Sequence, residues 1–333
     1  MNLKSLSLIA TIALMVAACG GNGGADKQAN KNDTQKAIDV PAFNADSAFV
    51  FAKKQVDFGP RVPNTKASEQ CASWMYSTLK RFTPDVYMQN FSAKAFDGTL
   101  LKGRNVIASF NKDATARILL CAHWDSRPWA DHDPDPANHK KPIDGANDGA
   151  SGVAVLLEVA RQLSLKQPTV GVDIVLFDLE DYGPNEGLNI KDSEKWWALG
   201  AQYWSKNPHV PGYRARYGIL LDMVGVKNPN FMMEGISMYY ASDVVKKVWS
   251  HAAALGFSDN FPMEEGAPIT DDHLYVNTVA NIPTIDIIHL ERDSQNGAFY
   301  PYWHTLGDNI SQVDKNSLGM VGQVLLRTVF YEL

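Results

Sequence analysis

The chain predicts an α/β fold: a mixed, mostly parallel central sheet flanked by helices on both faces. Near-continuous apolar runs recur in it, ARILLCA, VDIVLFDL, YGILLD and IPTIDIIHL. Strands buried on both faces read this way. Between the runs lie segments with apolar residues at helical spacing, and strands alternating with such helices imply a largely parallel sheet. Acidic residues and histidines also stand at or just beyond the ends of several runs. Ligands gather there in open α/β sheets.

In chain order, Lys4 precedes the apolar stretch LSLIATIALMVAA. It is too short to span a bilayer comfortably and reads as a signal-peptide core. The stretch stops at Val16-Ala17-Ala18-Cys19, which resembles a bacterial lipoprotein processing site. Residues 1–18 are therefore expected to be a removed signal peptide. Cys19 is expected to carry the lipid that anchors an exported, periplasmic protein to a membrane. GGNGGADKQANKNDTQK is too polar and Gly-rich to fold, so residues 19–40 are expected to be a flexible linker.

Residues 41–333 make one large domain by the usual length prior. AFNADSAFVFAKKQVDFG reads as its first helix, with Asp46 or Ser47 placed to cap it. The stiff loop from Gly59 to Thr65 leads into an amphipathic helix, KASEQCASWMYSTLKRF. Strands are expected at VYMQNFSA, GRNVIASF and ARILLCA, three in succession that suggest an antiparallel edge. A polar, Pro-rich loop runs from Ser126 to Ile143; its Asp131, His132, Asp133, Asp135 and His139 are expected to be solvated loop charge.

SGVAVLLEVARQLS is expected to be a helix, and VDIVLFDL a central strand. A second long loop, from Glu180 to about Ser193, precedes the expected helix SEKWWALGAQYWSK. The remaining elements are strand YGILLDMVG, helix ASDVVKKVWSHAAALG, strand IPTIDIIHL and a closing helix from Asp314. With Cys19 lipidated, only Cys71 and Cys121 remain; Cys121 lies in a strand-like run, where a buried free thiol is the ordinary outcome. The net charge of −6, without a basic stripe, gives no reason to expect a nucleic-acid partner. A monomer is expected.

The strand-end set comprises His123 and Asp125, Asp148, Glu180 and Asp181, Asp222, and His304. Singly, each acidic residue has a bland reading. Asp148 can cap the helix near Ser151, Asp125 can orient its neighbours in a turn, and Asp222 can sit beside a buried Lys or Arg. Jointly they point to a metal site, because buried carboxylates are costly unless paired or bound to a cation. Zinc takes His nitrogen and carboxylate oxygen readily. Glu180 and Asp181 are adjacent, so their side chains diverge: one can bind metal while the other carries protons. Asp271-Asp272-His273 adds a further cluster, and a carboxylate there that met Asp222 would share a proton with it.

HWDS, DGANDGASG, FDLEDYG, LLDMVG and the late WHT resemble, in order, the metal-site motifs of the M28 zinc-peptidase family from about Phe43 onward. Within it the chain is most similar to the glutaminyl cyclases: Trp303 directly precedes His304, TDDH (270–273) resembles their QDDH, and LLDMVG resembles their LLDLIG. The resemblance implies one zinc ion on Asp148, Asp181 and His304, with Glu180 as proton shuttle. It implies Asp222 and Asp271 as a hydrogen-bonded acidic pair, with Trp303 lining the substrate pocket. Trp196, Trp197 and Tyr182 are weaker candidates for its walls, since such aromatics are more often packing residues. Asp181 stands where animal cyclases carry Glu, Thr270 replaces Gln, and the partner of the animal enzymes' pocket disulfide is missing.

The reaction so implied turns the N-terminal glutamine of a peptide or protein into pyroglutamate and releases ammonia. The alternative within the superfamily is a two-zinc aminopeptidase, with His123, Asp148 and Asp222 around the second metal. His123 is thus either a ligand or a donor to Asp148 or Asp222. A third reading, from a different class, is an inactive lipoprotein that captures peptide N-termini.

Overall fold

The computed structural model describes residues 38–185, 187–188, 190–291 and 299–332. The signal peptide, Cys19 and nearly all of the linker expected from the sequence lie outside the described residues. The described strands are β1 (Val86–Lys94), β2 (Leu100–Phe110), β3 (Arg117–His123), β4 (Gly171–Phe177), β5 (Gly218–Asp222) and β6 (Thr284–Ile288). They form one sheet in the order β1-β2-β4-β3-β5-β6. β1, β2 and β4 pair antiparallel, whereas β4, β3, β5 and β6 run parallel. The expected fold class is borne out.

One part of the expected topology needs correction. β1 and β2 form the antiparallel edge, but β3 leaves them and inserts between β4 and β5. The reason lies in the side chains. β3 is buried from Ile118 to His123 and β4 throughout, so both belong where helices cover each face. β1 alternates exposed and covered residues, which suits an edge.

The helices are α1 (Ala45–Val56), α2 (Lys66–Lys80), α3 (Ala150–Leu165), α4 (Leu199–Lys206), α5 (Gly235–Ala254), α6 (Asp272–Thr278) and α7 (Lys315–Tyr331). Ile118, Leu120 and Ala122 of β3 face a core closed by α1, α2, α3, α5 and α7. The alternate residues Leu119 and Cys121 pack against α4 and α6. Cys71 joins the first core and Cys121 the second, so the two free thiols lie on opposite faces of the sheet.

Three local expectations change. Asn44 caps α1 by accepting from the Ser47 N–H at 2.9 Å, in place of Asp46 or Ser47. SEKWWALGAQYWSK is a short 3₁₀ turn over 193–196 and then α4, broken at Ala198, whose φ is 54°. There the Ala198 and Leu199 N–H groups bond to the Glu180 and Leu179 carbonyls, tying the segment to the end of β4. α5 begins at Gly235, before the expected start, because the Glu234 carboxylate accepts from the Ile236 and Ser237 N–H groups. Among the described residues no helix is long and apolar enough to cross a membrane.

Candidate metal centre

The parallel strands deliver their ends to one edge of the sheet. His123 closes β3 and Asp222 closes β5, while Glu180 and Asp181 follow β4 by a few residues. Asp148 arrives on the loop before α3, Asp271 caps α6, and His304 lies on the turn after Trp303. Asp148 stands at the centre. Its Oδ1 is 3.0 Å from His123 Nε2 and its Oδ2 is 3.6 Å from His304 Nε2. His304 Nε2 is also 3.2 Å from Asp181 Oδ1, and His123 Nε2 is 3.1 Å from Asp222 Oδ1.

Two buried trios therefore share Asp148: Asp148, Asp181 and His304, and His123, Asp148 and Asp222. The first fits a metal ion well. Burial holds His304 well below the ordinary imidazole pKa, with the charge of Arg127 acting in the same direction, so its ring is neutral. Asp181 Oδ2 is buried with no hydrogen-bond donor. A neutral imidazole beside two buried carboxylates is a donor set that zinc accepts. His123 differs. Burial opposes its charge, but the nearby carboxylates of Asp125, Asp148 and Asp222 outweigh that and raise its pKa well above the ordinary value.

The bland readings divide. Asp148 does not cap α3, whose N-cap is Gly149 without a side-chain bond. Asp222 meets His123 rather than a buried Lys or Arg. Asp125 does orient its neighbours: its two oxygens accept from the Glu180 N–H at 3.0 Å and the Asp181 N–H at 3.1 Å.

Several supporting residues were not evident from the sequence. Asp308 accepts from the Asn147 and Asp148 N–H groups at 2.9 and 3.1 Å, and burial with the nearby Asp148 charge pushes its pKa up to about 7. Arg127 is buried between Asp131 and Asp181, with its guanidinium over the Trp129 and Trp197 rings. The loop after Ser126 thus has bonded rather than merely solvated charge; Asp133 accepts from Asn138 and the Leu306 N–H. Asp286, like Asp173, is a charge inside an apolar strand run, and that was the available signal.

The backbone at the site is unusual. Leu179, Met223 and His304 have φ values of 63°, 46° and 53°, the left-handed region that non-glycine residues seldom enter. Each lies at or next to a site residue. Gly149 answers a different constraint, since a Cβ there would meet the His123 ring at 2.5 Å.

Glu180, Asp222 and Asp271 open into one pocket of about 330 Å³, whose apolar walls include Trp197, Ile269, Ile288, Phe299 and Trp303. Of the weaker aromatic candidates, Trp197 lines it, whereas Tyr182 packs with Phe96 and Trp129. Trp303 stacks on His304 at 3.7 Å between ring centroids. Burial, with the charges of Asp271 and Asp181, holds Glu180 well above the ordinary carboxylate range. Asp222 is pushed up to about 7, chiefly by burial, against the pull of its hydrogen bond with His123. Asp271 is raised by burial too, and a carboxyl oxygen of Asp286 lies within 4.8 Å of one of its own.

The sequence pattern described as Peptidase family M28 matches residues 105–329. A crystal structure of Bacteroides thetaiotaomicron glutaminyl cyclase bound to N-acetylhistamine is similar, at 50% identity and a TM-score of 0.86, over 89% of this chain and 100% of that one. So is a structure described as a Zn-dependent exopeptidase from Parabacteroides distasonis, at 50% identity and TM-score 0.86, over 88% and 100%. Glutaminyl-peptide cyclotransferase of Gloydius blomhoffii is 25% identical over 251 residues, 66% of this chain. The match spans 63% of that relative's length.

Proposed function

The chain belongs to peptidase family M28, and we propose that it is a zinc-dependent glutaminyl-peptide cyclotransferase acting on peptides and proteins with N-terminal glutamine. One observation carries this reading. Glu180, Asp222 and Asp271 share one pocket with the apolar and aromatic walls Trp197, Ile269, Ile288, Phe299 and Trp303. A glutamine side chain brings a γ-amide whose N–H groups satisfy buried carboxyls. A leucine side chain would leave them unpaired, at a cost of about 1–3 kcal/mol for each buried group. The likeness to a bacterial glutaminyl cyclase at 50% identity supports the same choice.

Asp148, Asp181 and His304 would hold a single zinc ion. Bound there, zinc supplies Lewis acidity towards the γ-carbonyl oxygen of the substrate. The rest falls to the chain's own residues. Cyclisation forms a bond from the α-amine nitrogen to the γ-amide carbon and breaks the bond from that carbon to the amide nitrogen, which leaves as ammonia. Glu180 takes the proton from the attacking amine and returns it to the departing nitrogen. Its raised pKa brings it towards the operating pH, where it serves both steps. Asp222 and Asp271, as an acidic pair, hold the leaving amide. The aromatic walls keep the side chain folded back for ring closure and exclude water, the competing nucleophile.

The observation favouring the second reading, a two-zinc aminopeptidase, is the trio of His123, Asp148 and Asp222. Incubation with Gln-Xaa and Leu-Xaa peptides separates the two, with ammonia and free amino acids followed apart. Ammonia from the Gln peptide and one zinc per chain are expected. Leucine release without ammonia, together with two zinc ions, would establish the aminopeptidase instead. We also propose that Cys19 is lipidated and tethers the enzyme to a periplasmic membrane surface. The apolar segment before Cys19 and the polar linker after it support this.

A further inference from the structure

Behind Asp271 lies a buried acidic side chain, Asp286, that the reaction above does not use. Asp286 projects from the middle of β6, on the opposite face to Ile285 and Ile287 of the main core, and is fully buried. Among the described residues neither of its carboxyl oxygens has a donor. Its own N–H donates to Ser237 Oγ, whose hydroxyl in turn donates to Glu234. Around it stand Asp271, Asp272 and His273 of the α6 segment, Glu234 at the start of α5, Asp222 at the end of β5, and Cys121 of β3.

The charge balance there is unfavourable. His273 Nε2 is already committed to Glu234 at 3.0 Å. Both oxygens of Asp272 are buried without a partner, as is Asp271 Oδ2. Asp271 Oδ1 accepts only the N–H of Asp272, as the cap of α6. Among the described residues no side chain donates to the Asp286 carboxyl, and two carboxylates this close cannot both ionise cheaply. A hydrogen bond between two carboxyl groups requires one proton, which one of the two must carry.

We propose that Asp286 is a proton-bearing positioning residue: as a neutral acid it donates a hydrogen bond to Asp271 and fixes the oxygens that Asp271 presents to the substrate amide. The inference rests on the cyclase reading for its consequence in catalysis, but not for the proton itself. The upward shift of Asp286, caused first by burial and then by the charge of Asp271, agrees with the donor role. The smaller rise of Asp271 agrees with its role as acceptor. A neutral donor behind Asp271 keeps that carboxylate in one orientation and adds no second negative charge beneath the pocket.

The test compares D286N and D286L with the wild-type protein, each first shown to be folded and to bind zinc as the wild type does. Asn still offers a donor to Asp271, so kcat for Gln-Xaa cyclisation should stay within about threefold of wild type. Leu removes the donor, and kcat should fall by about tenfold or more with KM little changed. Difference infrared spectra of wild type against D286N should show the carbonyl band of a neutral carboxylic acid lost at neutral pH. That readout is independent of activity. A protein with the band but no cyclase activity would sink the functional reading alone. Absence of the band would overturn the proton assignment, as would a D286N as impaired as D286L together with loss of a further metal ion beyond the zinc, the signature of a cation site on Asp271, His273 and Asp286. A D286L that keeps wild-type kcat would reduce Asp286 to a packing residue.

Discussion

Asp125 holds Glu180 through the backbone: its Oδ1 accepts the Glu180 N–H at 3.0 Å while Oδ2 accepts that of Asp181 at 3.1 Å. One side chain thereby fixes both the proposed proton carrier and a proposed metal ligand. In D125N one acceptor becomes an NH₂ group facing an N–H, and the corner loosens. Zinc affinity should weaken by about 10–100-fold, the usual effect of losing a residue that orients a ligand. Competition with a zinc-binding dye measures it, and an unchanged affinity would show that the corner holds itself.

Glu180 lines the pocket and is not among the clustered candidate ligand groups. E180Q should keep zinc and bind substrate but lose turnover by about 10²–10⁴-fold, the range of a missing general acid–base group. Steady-state kinetics with metal analysis on the same sample decides it. A protein that only captures peptide N-termini would be indifferent to the change.

Gly149 touches the face of His123. G149A places a methyl group 2.5 Å from that ring, which must shift and give up its contacts with Asp148 and Asp222 at 3.0 and 3.1 Å. The overpacking should cost about 1–3 kcal/mol of stability and lower activity as well. Denaturant titration checks the first effect. Full stability with wild-type activity would mean that the ring has free room to move.

Glu234 responds to pH in the opposite sense from the pocket acids. Burial works against its charge, but hydrogen bonds and the charge from His273, with bonds from Ser237 and Ile236, hold its pKa down to about 2. A carboxyl whose folded pKa lies below its unfolded value stabilises the fold above the unfolded pKa, and that stability is lost as pH falls towards the folded one. The window here runs from about 4.5 down to about 2 and is worth about 3 kcal/mol. E234Q should melt several degrees lower at neutral pH and lose less stability than wild type on acidification. Parallel melting curves for the two proteins would refute this.

Consecutive residues carried the sheet class, most helices, and the acidic residues and histidines at the strand ends. The reason is that apolar periodicity and the position of a charge at a strand end are local facts, written in consecutive residues. Asp181 and Asp222 were legible because each follows or ends a run that has to be buried, whereas Asp148 and His304 were picked out as ligands by the motif resemblance. Tertiary structure decided what depends on pairing between distant segments. β3 moved to the centre because strand order follows the burial of both faces, not order along the chain. Trp197 entered the pocket because the chain breaks at Ala198 to bond with Glu180 and Leu179. Asp125, Asp308 and Asp286 act through backbone N–H groups or another carboxyl contributed by a different segment, and no spacing rule encodes such a contact. His123 shows the division most clearly. Its place at the end of β3 was written in the sequence, whereas its engagement with Asp148 and Asp222 comes from two strand ends and the loop before α3 meeting at one edge of the sheet.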